Sequence, residues 1–149
     1  MYKKSKRKMK PTRLDTLIGQ HTQLSGDLSF NGGLRIDGHI KGNVYASGDV
    51  NSMLTLSEYG SIEGEIKVPN LIINGVIHGN VYVSGHLELA EKAKVQGNVY
   101  YRLLEMAMGS EVNGQLIKVT PDNEHILNVE YTAVEDSEHY QLEQKPNLD

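Results

Sequence analysis

The chain has 149 residues, the size of one domain, and no cysteine, so a disulfide framework or a cysteine metal site is excluded. One Phe and no Trp are sparse for a globular core, and a formal charge of -4 conceals two oppositely charged ends. No apolar run reaches the roughly 18–20 residues of a membrane span, and no apolar segment follows the basic start as a secretory signal requires. The composition predicts a cytoplasmic protein without cofactor, metal or nucleotide.

Residues 1–13 carry Lys3, Lys4, Lys6, Arg7, Lys8, Lys10 and Arg13 and no acid. A run of like charge repels itself, so residues 1–15 are expected to be a basic flexible tail. Three roles are open to it: contact with anionic lipid, contact with nucleic acid, or a solvated segment that meets the acidic tail of a neighbour. Nucleic acid weighs least, because no aromatic platform beyond Tyr2 is interleaved with the charges.

Residues 16–119 form the body, and the pattern apolar-x-Gly-x-apolar recurs along it. It reads Leu24-Ser-Gly26-Asp-Leu28, Ile40-Lys-Gly42-Asn-Val44 and Ile62-Glu-Gly64-Glu-Ile66. It continues as Ile77-His-Gly79-Asn-Val81, Val95-Gln-Gly97-Asn-Val99 and Val112-Asn-Gly114-Gln-Leu116. These glycines are 16, 22, 15, 18 and 17 residues apart. Two further registers run in phase. One is Leu34-Arg-Ile36, Leu54-Thr-Leu56, Leu71-Ile-Ile73, Leu87-Glu-Leu89 and Leu104-Glu-Met106. The other follows the glycines: Leu28-Ser-Phe30, Val44-Tyr-Ala46, Ile66-Lys-Val68, Val81-Tyr-Val83 and Val99-Tyr-Tyr101. Period-two alternation marks strands with one buried face. The spacing predicts an all-β solenoid of about six three-faced coils, with equivalent inward residues stacked coil on coil. Residues 48–53 are expected to bulge from one corner as a loop of about five residues, and Pro69 to fall at a strand end. Residues 120–149 hold eight acids and one Lys, which predicts an acidic flexible tail in which Ile126, Leu127, Val129 and Val134 leave room for a short ordered segment.

The run Thr16-Leu-Ile-Gly19, Leu24-Ser-Gly-Asp-Leu28, Gly33-Leu-Arg-Ile-Asp-Gly38 and Gly42-Asn-Val44 resembles the opening of a bactofilin domain, and the repeat continues the likeness through Val119. The resemblance implies a right-handed, single-stranded parallel β-helix of bacterial origin. It implies nucleotide-independent polymerisation into cytoskeletal filaments, with like ends meeting like ends. It further implies a scaffold at the inner face of the cell membrane that positions other proteins for cell shape, wall synthesis, polarity or motility. Partners implied are the chain itself, a second bactofilin paralogue, membrane lipid and unidentified cargo. The basic tail departs from the more apolar membrane segments of some family members.

A solenoid has two open ends, and unpaired strand edges are templates for another chain. The residues expected at an end-to-end joint are Leu24, Leu28 and Phe30 in the first coil and Met106, Met108, Leu116 and Ile117 in the last. Two rival readings stand beside the polymer. Left-handed hexapeptide acyltransferases also have three-faced coils, and His78 or His86 could then serve as a general base. Alternatively the basic tail makes the chain a lipid- or nucleic-acid-binding adaptor without filaments. The six histidines otherwise read as exposed corner residues.

Overall fold

In a computed structural model of the chain, residues 13–128 are described, and these form two units divided between Lys118 and Val119. The first unit is a β-solenoid of six coils, each turning through three faces. Coil 1 comprises β1 (Leu14–Ile18), β2 (Gln23–Ser25) and β3 (Leu28–Phe30), and coil 2 comprises β4 (Gly33–Ile36), β5 (His39–Lys41) and β6 (Val44–Ala46). Coil 3 begins with β7 (Met53–Leu56) and β8 (Ser61–Glu63) and ends in the first half of β9 (Ile66–Ile73). Coil 4 takes the second half of β9, then β10 (Val76–His78) and the first half of β11 (Val81–Leu89). Coil 5 finishes β11 and adds β12 (Lys94–Gln96) and β13 (Val99–Tyr101). Coil 6 is β14 (Leu103–Met106), β15 (Glu111–Asn113) and β16 (Leu116–Lys118).

Among the described residues every pairing between these strands is parallel and joins one coil to the next. The second face is a sheet of its own, in the order β2-β5-β8-β10-β12-β15. The first and third faces merge into one ten-stranded sheet because β9 and β11 run around their shared corner without a break. Pro69 therefore lies inside β9, not at a strand end as the sequence led us to expect. The corner tolerates it because the β9–β11 register shifts between Val83 and His86, which leaves no ladder partner opposite Pro69 to receive its missing N–H.

The three registers read from the sequence supply the inward columns of the three faces. Leu34, Leu54, Leu71 and Leu87 align on the first face, with Ile36, Leu56, Ile73 and Leu89 beside them. Ile40, Ile62, Ile77 and Val95 align on the second, and Val44, Ile66, Val81 and Val99 on the third. All of these are buried. Stacking like on like every coil fills the narrow interior with branched aliphatics, and Phe30 and Tyr101 pack against it only partly buried.

The corner between the second and third faces carries the repeat glycines. From Gly42 to Gly114 their φ lies between +150° and +159°, a backbone that side chains disfavour. A Cβ at Gly42, Gly64, Gly79, Gly97 or Gly114 would also overlap the carbonyl oxygen of the glycine one coil earlier. The residue after each glycine forms a second ladder. Asp27 Oδ1 accepts the Asn43 N–H at 2.9 Å, Asn43 Oδ1 the Glu65 N–H at 2.8 Å, Asn80 Oδ1 the Asn98 N–H at 2.9 Å and Asn98 Oδ1 the Gln115 N–H at 3.0 Å.

The corner between the first and second faces changes length. It is a four-residue turn at 19–22, 57–60, 90–93 and 107–110, each closed by an i to i+3 backbone bond of 2.9–3.2 Å, and the dipeptides Asp37-Gly38 and Asn74-Gly75 elsewhere. Lys92 Nζ meets Glu58 Oε1 at 2.8 Å, joining the long turns of coils 3 and 5 over the short corner of coil 4. The expected loop is present. Residues 47–52 leave the strands, and Ser52 holds them by accepting the Gly32 N–H at 3.0 Å and donating to Asn31 Oδ1 at 3.2 Å. The wide 22-residue interval thus combines this loop with the long turn at 57–60.

The second unit, as far as it is described, is 3-10 helical over Pro121–Asn128 with a kink at Asn123. Asn123 Oδ1 accepts from the Thr120 N–H at 2.6 Å and the Thr120 hydroxyl at 3.2 Å, and the Asn123 N–H returns to the Thr120 carbonyl at 3.1 Å. Pro121 suits the first turn because it has no N–H to satisfy there. This is the ordered segment for which Ile126 and Leu127 left room, while Val129 and Val134 lie outside the described residues.

Candidate assembly site

In the interior coils each strand is paired on both sides, whereas the strands of coils 1 and 6 are paired on one side only among the described residues. Within the described strands of the first unit, each end face therefore combines three strand edges, paired by no other strand, with the cut end of the apolar column. Coil 1 presents Leu24, Leu28 and Phe30, all partly buried against the core, together with Ile18. Coil 6 presents Leu104 and Val112, partly buried, and Leu116 and Met106, which are 41% and 44% exposed. An interior residue of the same columns, such as Leu87 or Val99, is 0% exposed, so the difference is the missing next coil.

The expected joint residues fall in different places. Leu116 is in register with Val99 and Met106 with Leu89, which puts both on inward columns. Met108 lies in the 107–110 turn and is 93% exposed. Ile117 is in register with Tyr100, on the outward row of the third face. Ile18, Leu104 and Val112 complete the end faces and were passed over in the sequence. Their alternation was visible, but which coil is terminal depends on where the ladder stops. Of the basic tail, Arg13 is described and exposed, and Lys3, Lys4, Lys6, Arg7, Lys8 and Lys10 lie outside the described residues. Gly26 differs from the other repeat glycines, because a Cβ there would meet nothing within 4 Å. It belongs to coil 1, where no earlier coil supplies a carbonyl.

The match that decides the family covers nearly all of this ladder: the family model for bactofilin, described as polymer-forming cytoskeletal, fits residues 16–117. The chain belongs to the bactofilin family. Neither a curated protein nor a solved structure matches it. A bactofilin is a polymer-forming cytoskeletal protein.

The histidines of this bactofilin are dispersed. His78 is on the outer side of the second face, whereas His86 opens the first-face half of β11, where Nε2 lies 3.6 Å from Glu105 Oε2. His39 Nδ1 is 2.6 Å from Ser61 Oγ on the second face. Among the described residues no three His, Asp or Glu side chains gather as metal ligands, and no helix is long and apolar enough to cross a membrane.

Proposed function

We propose that this bactofilin assembles end to end through its terminal coils, without nucleotide, into a filament that positions other proteins near the inner surface of the membrane. The observation that carries the reading is the exposure of Met106 and Leu116 on columns whose interior members are fully buried. Stacking another subunit there removes apolar surface from water and pairs the free edges in one step. The family's like-to-like geometry would bring coil 6 against coil 6 and coil 1 against coil 1.

That geometry also gathers charge. Each joint between first coils would bring together two copies of Arg13, with which the basic segment ends in sequence, and each Lys or Arg near an anionic surface contributes about 1 kcal/mol. Polybasic contact by one subunit is weak and reversible, but a filament multiplies it. Cargo would dock along the filament and acquire its position, serving shape, wall synthesis, polarity or motility. The role is structural rather than catalytic: the chain's repeating chemistry is devoted to the ladder and its ends.

Negative-stain electron microscopy of the untagged protein at physiological salt, with no nucleotide, tests the proposal. Uniform filaments are expected. Discrete small oligomers would overturn it and return the hexapeptide-like transferase to consideration.

A further inference from the structure

The third face carries a row of side chains used neither by the core nor by the end joints. The middle residue of each strand points outward, and the pairing stacks these residues in register: Tyr45 beside Lys67, Lys67 beside Tyr82, Tyr82 beside Tyr100 and Tyr100 beside Ile117. Tyr82 and Tyr100 stack ring on ring, with centroids 4.7 Å apart and planes within 2°. All five side chains are half-buried. Lys67 is the row's only charge, while the second face carries Lys41, Glu63, Lys94 and Glu111 outward, and the first carries Arg35, Glu88 and Glu105.

We propose that this row is a lateral contact between filaments of this chain, the third face of one packing on the third face of another. The proposal rests on the end-to-end polymer just described. Area argues for this occupant. Five coils at about 4.8 Å and three residues at about 3.3 Å give a strip of on the order of 250 Å². A stable pairwise interface needs roughly 800 Å² from each partner, so free subunits would stay apart. A filament repeats the strip on every subunit, and contacts too small singly then add. The strip in a second filament has the same spacing, so ring rows can interdigitate as facing sheets do. With one lysine per subunit, like-charge repulsion between the two rows is small. On either other face the denser charge would have to be desolvated.

Sedimentation at two speeds, with microscopy, tests the proposal on the full chain. High-speed pelleting reports filaments and low-speed pelleting reports bundles. The double variant Tyr82→Ser/Tyr100→Ser should form filaments as the unaltered protein does, and its low-speed pellet should fall by roughly fivefold or more. Tyr82→Phe/Tyr100→Phe should bundle normally, since the rings are retained, and Lys94→Ser on the second face should have no effect. If the double variant folds poorly by circular dichroism, Tyr100→Arg replaces one outward ring with charge and should give single filaments. Undiminished bundles in both the serine and arginine variants would overturn the proposal, as would unaltered protein that forms only single filaments. Bundles that dissolve at roughly 0.5 M salt would also overturn it, because they would trace to the charged ends. Absence of filaments from every sample would instead sink the end-to-end reading, on which this one depends.

Discussion

Gly79 and Gly97 sit at φ +150° and +151°, and a Cβ at either would overlap the carbonyl oxygen of the glycine below it. We expect Gly79→Ala to combine backbone strain with displacement of a neighbouring coil, costing about 2–4 kcal/mol. A thermal melt of the variant should show a midpoint lower by roughly 10 °C. Gly26→Ala should cost less, because only its φ of +122° is strained and no carbonyl lies in the way. Asn98→Ala removes one acceptor from the neighbouring ladder, worth about 0.5–1.5 kcal/mol, and the same melt would register it. The exposed Glu58–Lys92 pair adds a small pH dependence. Its hydrogen bond to Lys92 lowers the Glu58 carboxyl below 4.5, so that contribution is present above 4.5 and is lost as pH falls through the lower folded value. The same bond raises Lys92 above 10.5, so its contribution is present below 10.5 and is lost as pH rises past the folded value. Lys92→Ala should remove the acid-side effect, within the small range of surface pairs.

At the scale of the strand and coil, the terminal columns are the place to intervene. Leu116 is 41% exposed on an inward column, so Leu116→Arg adds charge to the open end without entering a closed interior. Long filaments should disappear with the β-structure retained, and sizing should find dimers if like ends meet. Filaments of normal length would place Leu116 outside the joint. This level was largely legible in the sequence. Alternation and corner glycines are local requirements, so Leu34–Ile36, Ile40, Val44 and their successors announce their faces directly. Pro69 misled because a chain can turn a corner within one continuous strand, which depends on the coil beneath it. The outward row is not legible in the sequence. Tyr45, Tyr82 and Tyr100 each sit harmlessly between apolar neighbours in one dimension, and only the pairing register lines them up. The position of Ile117 near the close of the repeat predicts an end residue, whereas register turns it outward.

At the scale of the whole molecule, the seven Lys and Arg residues of 1–13 are the candidate contact with an anionic surface. Liposome flotation of the full chain against a chain beginning at Leu14 should show anionic vesicles retaining only the full chain, with release by salt. Equal behaviour of the two would remove the basic segment from that role. Assembly bears on a different property. Every strand of the solenoid crosses its axis, and each coil is bonded to the next through parallel ladders. A filament of stacked coils is therefore a cross-β object throughout, and its fibre diffraction should show the meridional reflection near 4.8 Å that amyloid shows. Dyes that report amyloid by binding along such ladders would report native cytoskeleton here. In the proposed filament a β-rich, dye-positive fibre would be the working state of this chain, and its axial repeat of two six-coil subunits meeting like end to like end, about 58 Å long, would separate it from misfolded aggregate.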